Sequence, residues 1–73
     1  MAFNDVPTAT AAIQAHPLCA EFVSMTGRYL VYYPPQYRIP GGVMVIRSGN
    51  DVAALNTLYN QMVSFAATVA ITA

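Results

Sequence analysis

The longest unbroken pattern in the chain covers residues 51–73, where apolar side chains recur at steps of three and four. The stripe consists of Leu55, Leu58, Met62, Phe65 and Val69. This spacing is that of one face of an α-helix. After Asp51 the segment carries no charge, so its opposite face is only weakly polar. We therefore predict a helix over about 51–72 that is covered by protein on more than one side.

Two shorter helices are predicted in the N-terminal third of the chain. The first covers about 7–15 and ends before Pro17, because the residue preceding a proline is pushed out of the α region. The second covers about 17–26, where Leu18, Phe22 and Met25 follow one another at steps of four and three. Gly27 follows at the position of a left-handed C-terminal cap.

The middle of the chain is rich in β-branched and aromatic residues and predicts two strands, over about 28–33 and 42–47. Both runs are apolar at successive positions, so each strand has two apolar faces, and such a sheet needs cover on both sides. Two strands alone are also marginal as a sheet. The predicted fold is a single small α+β domain over 1–73, in the order helix, helix, β-hairpin, long C-terminal helix.

Charge is scarce in this sequence. Only 8% of its 73 residues are charged and the formal net charge is zero, against roughly 25% charged residues in ordinary soluble domains. Near-neutral surfaces promote association, which predicts packing against identical or different protein subunits. Nucleic acid is not expected as a partner, because three scattered arginines without any lysine are too few to replace condensed counterions.

No set of residues predicts an enzyme or a cofactor site. His16, Cys19 and Glu21 lie close in sequence and could supply a nucleophile, a base and an orienting carboxylate, but a small buried cysteine in a helix is the simpler interpretation. One histidine and one cysteine fall short of the three or four ligands of a zinc site. We expect no catalytic residue, cofactor or metal.

Two further patterns give alternatives. Residues 62–73 are largely apolar, but they fall short of the roughly 20 residues that span a bilayer. A small membrane-associated protein that uses this helix is the alternative function. Residues 34–37 read Pro-Pro-Gln-Tyr, a pattern that WW domains bind in extended form, although stiffening of the connection between the two strands is the favoured interpretation.

Tyrosines and arginines supply the contacts that we predict for association, because both are enriched at protein interfaces. The predicted interface residues are Tyr29, Tyr32, Tyr33, Tyr37, Arg38, Leu55, Tyr59, Met62, Phe65 and Val69. The function expected from these observations is structural. The leading example is a virion component, such as a minor capsid, decoration or tail protein, located in the virion and repeated in a homo- or hetero-oligomer.

Overall fold

The computed structural model describes residues 2–35 and 42–68. Helix α1 spans Val6–Ala15, strands β1, β2 and β3 span Glu21–Met25, Arg28–Tyr32 and Gly42–Ile46, and helix α2 spans Asp51–Thr68. The strands form one antiparallel sheet in the order β1-β2-β3. This arrangement of two helices and a three-stranded antiparallel sheet confirms the predicted α+β class.

The helix predicted over 17–26 is wrong in the structure, where Glu21–Met25 forms strand β1. This strand pairs along its whole length with β2, from Glu21 opposite Tyr32 to Met25 opposite Arg28. Gly27, with φ of 83°, lies in the tight turn between the two strands and caps no helix. The physical reason is non-local: an isolated ten-residue helix is marginal, whereas a third strand turns a marginal two-stranded sheet into a stable one.

The other elements agree closely with their predicted positions. Strands β2 and β3 end one residue earlier than predicted, and α1 starts one residue earlier, at Val6. Helix α2 starts at Asp51 as expected and is described as far as Thr68. The predicted continuation over 69–72 lies outside the described residues.

Local capping fixes the start of α1. The Asp5 carboxylate accepts a hydrogen bond from the Thr8 amide at 2.8 Å, and Pro7 occupies the first turn, where no intrahelical amide donor is needed. The helix ends at His16, whose backbone N–H donates to the Ile13 carbonyl, and Pro17 follows. Sequence and structure therefore agree on α1 because both of its ends are set by neighbouring residues.

The hydrophobic core lies on one side of the sheet, between the strands and both helices. The fully buried side chains include Ile13 of α1 and Leu55, Leu58 and Met62 of α2. They form one cluster with the buried strand residues Tyr29, Val31 and Val45. The part of the predicted apolar stripe that lies in the described residues, from Leu55 to Phe65, thus packs in or against this core.

The chain before α1 is tied to α2 through the backbone of Phe3. Its N–H donates to Asn56 Oδ1 at 2.7 Å, and its carbonyl accepts from Asn56 Nδ2 at 3.1 Å. The Phe3 ring also packs edge-on against Tyr59, with the ring centroids 5.0 Å apart. These contacts hold the N-terminal residues against α2 on the core side of the sheet.

Candidate functional site: the outer face of the sheet

The register of the sheet separates two sets of side chains, because successive residues of a strand point to opposite faces. Phe22, Val31 and Val43 lie directly opposite one another across the three strands and pack in or against the core. The next row is Val23, Leu30 and Met44. This row must point away from the core.

We call the side of the sheet opposite the helices the outer face. Its apolar residues are Val23, Met25, Leu30, Tyr32, Met44 and Ile46, and its charged residues are Glu21 and Arg28. Five large hydrophobic side chains are exposed in the described part of the chain, and four of them lie here: Met25, Tyr32, Met44 and Ile46, the last with 63% of its surface exposed. The fifth is Val63 of α2.

Neither helix covers this face. Both α1 and α2 contribute their buried residues to the core cluster on the opposite side. An antiparallel sheet with one solvated face normally presents polar side chains to the water, whereas this one presents valine, leucine, methionine and isoleucine. The exposed apolar side chains of the described residues are therefore concentrated on the outer face.

The two charges of the outer face lie at opposite ends of the sheet. Glu21 shares its row with Tyr32 and Gly42, and Arg28 shares its row with Met25 and Ile46. Arg28 Nη1 reaches the Met44 sulfur at 3.9 Å, which places the guanidinium over the apolar residues. Within residues 2–35 and 42–68, no ion pair involves Glu21 or Arg28.

Arg47 has a different role at the end of the inner face. It forms two hydrogen bonds to the Asp51 carboxylate, at 3.1 and 3.0 Å, and a third to the Met25 carbonyl at 2.9 Å. Its guanidinium carbon lies 4.5 Å from the centre of the Tyr29 ring. The hydrogen bond from Arg47 lowers the pKa of Asp51. This arginine therefore joins the start of α2 to β1 and β2.

His16, Cys19 and Glu21, the three residues considered for nucleophilic chemistry, lie in different local environments. His16 Nδ1 accepts the Leu18 amide at 3.1 Å, and burial raises the pKa of the Cys19 thiol, which disfavours the nucleophilic thiolate. Glu21 lies on the outer face. No hydrogen bond among the described side chains joins these residues, and that part of the chain contains no cluster of three possible metal ligands.

The predicted interface residues fall into several environments. Tyr32 is exposed on the outer face, whereas Tyr29, Leu55 and Met62 are buried in the core and offer no surface to a second subunit. These three side chains pack between the sheet and α2. Tyr37, Arg38 and Val69 lie outside the described residues, as do Gln36 and Tyr37 of the Pro-Pro-Gln-Tyr pattern.

The other three predicted interface residues are half-buried aromatics. Tyr33 stacks on Phe65 with their ring centroids 4.6 Å apart and the planes nearly parallel. Tyr59 makes T-shaped contacts with the rings of Phe3 and His16. Part of the surface of each ring is therefore buried within the chain. The large hydrophobic side chains that are exposed lie mainly on the outer face.

Sequence reasoning missed most of the outer face. The prediction omitted Glu21, Val23, Met25, Arg28, Leu30, Met44 and Ile46. The signal that could have identified part of it was the run of successive apolar residues in β2 and β3, which requires cover on both sides of the sheet. The residues of β1 were hidden by the incorrect assignment of a helix.

Among the helices of the described residues, none is both long and apolar enough to cross a bilayer. Within the described part of α2, the stripe residues Leu55, Leu58 and Met62 are fully buried in the core. A membrane role for this stripe would require α2 to leave the sheet.

The chain matches no protein-family model, no curated protein and no solved structure. Its function must therefore be inferred from its own residues and their arrangement.

Proposed function

We propose that this protein is a structural subunit of a larger protein assembly and that the outer face of its sheet is a subunit contact. The observation that carries the proposal is the concentration of exposed apolar side chains on that face, including Met44 and Ile46. The removal of apolar surface from water is favourable by roughly 25 cal/mol per Å², and it offsets part of the entropy that two subunits lose when they associate. A neighbouring subunit on the outer face would supply the cover that the fold itself leaves open.

The charge content supports the same proposal. Only 8% of the residues are charged and the net charge is zero, so long-range repulsion between copies is weak. Asp5 caps α1, and Arg47 and Asp51 bind each other. Few charges are left to keep the apolar surface of one subunit away from another.

A virion component is the leading example of such an assembly. A minor capsid, decoration or tail protein is a small subunit that functions through packing against other subunits, and the exposed apolar side chains of the outer face would serve such packing. This finer assignment rests on the type of subunit and not on a particular residue. Electron microscopy of the purified assembly would test it, because a closed shell or a tube supports it and irregular aggregates contradict it.

The native mass of the purified protein tests the general proposal. Light scattering over a range of concentrations up to about 1 mM, without detergent, is expected to give a mass that rises above that of the 7.8 kDa chain as the concentration increases. A monomer at every accessible concentration would overturn the proposal.

A pair of variants tests the role of the outer face. Ile46→Glu places a charge on the face at a position that is 63% exposed, so the fold should tolerate it. Val63→Glu is the matched control, because Val63 is an exposed apolar residue of α2 outside this face. We expect Ile46→Glu to reduce the native mass and Val63→Glu to leave it unchanged. If Val63→Glu reduces the native mass and Ile46→Glu does not, the subunit contact lies on α2 and the proposal for the outer face is wrong.

A further inference from the structure

We propose that the outer face is occupied by the outer face of a second copy of this chain, in a two-fold arrangement that pairs Glu21 of each copy with Arg28 of the other. This inference rests on the proposed function and names the partner at its contact surface. It is carried by the placement of charges and by the geometry of the sheet.

Some charged residues make contacts within the chain that stabilise the fold, and others do not. Asp5 caps α1, and Arg47 and Asp51 form an ion pair between the end of β3 and the start of α2. In the described ranges, Glu21 and Arg28 are the charged residues that have neither a capping role nor an ionic partner. Both lie on the uncovered face, and they have opposite signs.

Their separation makes the face complementary to itself. Arg28 is at the start of β2, whereas Glu21 lies opposite Tyr32 at the other end of that strand. Four residues of a strand span about 13 Å, which is too far for Glu21 and Arg28 to neutralise each other within one copy. A two-fold interface brings the same patch of both copies together, so each charge can meet its opposite on the other copy.

The charges also select one of the two simple ways to stack this sheet on itself. In the first, the two-fold axis runs across the strands, so β2 of one copy stacks on β2 of the other with the opposite strand direction. Glu21 then lies at the same end of the stacked sheets as Arg28 of the second copy, and the two residues are one strand apart. An axis that runs along the strands keeps Glu21 about 13 Å from that arginine. The first arrangement also sets Tyr32 over Arg28 of the second copy, where a cation–π contact can form.

The size of the face predicts a weak contact. Three five-residue strands at the usual spacing and rise cover a footprint of about 240 Å² per copy, well below the roughly 800 Å² per partner of a standard stable interface. The contact is therefore expected to be concentration-dependent by itself. This is consistent with a subunit that is held in an assembly by several small interfaces.

A charge-reversal cycle tests this arrangement. Glu21→Arg and Arg28→Glu each place like charges together in the proposed dimer, and the double variant restores opposite charges. Sedimentation equilibrium at concentrations up to about 1 mM would measure the dissociation constant of the dimer. We expect each single variant to raise it about fivefold or more and the double variant to return it close to the original value. Circular dichroism and thermal unfolding of the same samples should show that all three variants are folded.

Each other outcome has a definite meaning. If the protein associates but the single reversals leave the dissociation constant unchanged, the second-copy arrangement is overturned while the structural-subunit proposal stands. If the original protein stays monomeric up to about 1 mM, both are overturned. If it instead floats with phosphatidylcholine vesicles and Ile46→Glu abolishes flotation, lipid occupies the face and the inference is wrong.

Discussion

The inner and outer faces of the sheet contain similar residues with different surroundings. Val45 is 7% exposed on the inner face, and its neighbour Ile46 is 63% exposed on the outer face. Val31 is 1% exposed, whereas Leu30, the residue before it, points outward in the row of Met44. This difference shows that hydrophobicity alone does not determine burial in this protein. A strand residue is buried when it lies on the face that the two helices cover.

The same contrast holds for the arginines of the two faces. Arg47 binds Asp51 through two hydrogen bonds, donates to the Met25 carbonyl and lies over Tyr29. Arg28 has only the contact of its Nη1 with the Met44 sulfur among the hydrogen bonds of the described residues. One arginine stabilises the fold, and the other is available to a partner. Five predictions test the contrast between the two faces and the contacts that hold the inner one together, in decreasing order of expected effect.

The largest effect is expected from a cavity on the inner side. Leu58 is fully buried, so Leu58→Ala should lower the free energy of unfolding by about 2–5 kcal/mol. Ile46→Ala removes a mostly exposed side chain and should cost less than about 1 kcal/mol. Urea unfolding at a concentration where the protein is monomeric would compare them. Equal costs would show that the two faces do not differ in cover.

The second largest effect is expected at the turn between β1 and β2, which sets the register of the two strands. Gly27 has φ of 83°, a conformation that costs an alanine of the order of 1–2 kcal/mol, so Gly27→Ala should destabilise the β1–β2 hairpin by about that amount. Asparagine tolerates this region better, so Gly27→Asn should cost less. Thermal unfolding of both variants checks the order. An alanine variant as stable as the original protein would contradict the left-handed turn, and with it the assignment of residues to the two faces.

The arginine comparison gives a smaller effect. Arg47→Gln removes the contacts to Asp51 and the Met25 carbonyl and should lower the Tm, whereas Arg28→Gln should leave the Tm of the monomer unchanged. Differential scanning calorimetry on dilute samples would measure both values. A larger decrease in Tm for Arg28→Gln than for Arg47→Gln would show that Arg28, and not Arg47, stabilises the fold.

The Arg47–Asp51 pair also predicts an acid dependence. Its hydrogen bond lowers the pKa of Asp51 from the usual 3.8, so the stabilisation is present above about pH 4 and is lost as the pH falls through the lower folded-state pKa. Asp51→Asn should therefore lose less stability between pH 5 and pH 2 than the original protein. A residual dependence is expected from Asp5, whose pKa is lowered by the Thr8 amide.

The smallest effect is expected at His16, which packs on the inner side against Tyr59. Burial lowers its pKa from the usual 6.5, and its Nδ1 accepts the Leu18 amide. Because the folded state disfavours the protonated ring, stability should be full above about pH 6.5 and fall as the pH is lowered below it. His16→Gln should remove this part of the pH dependence. An unchanged slope between pH 7.5 and pH 5.5 would contradict it.

The elements with local signals can be predicted from the amino-acid sequence alone. Helix α1 follows from Pro7 and Pro17, and α2 from its repeating apolar stripe. Strands β2 and β3 follow from runs of β-branched and aromatic residues. The low charge content is also a property of the sequence, and the association that it predicts remains a prediction.

The remaining features depend on contacts between residues that are distant in the sequence. Glu21–Met25 became a strand because it could pair with β2, an interaction that its own spacing does not reveal. The same pairing, with helices on one side only, sent Tyr29 and Val45 inward and left Leu30 and Ile46 outward. It also placed Glu21 and Arg28 on a common face. The physical reason is that backbone pairing and helix cover are non-local, and they give chemically similar neighbours different environments.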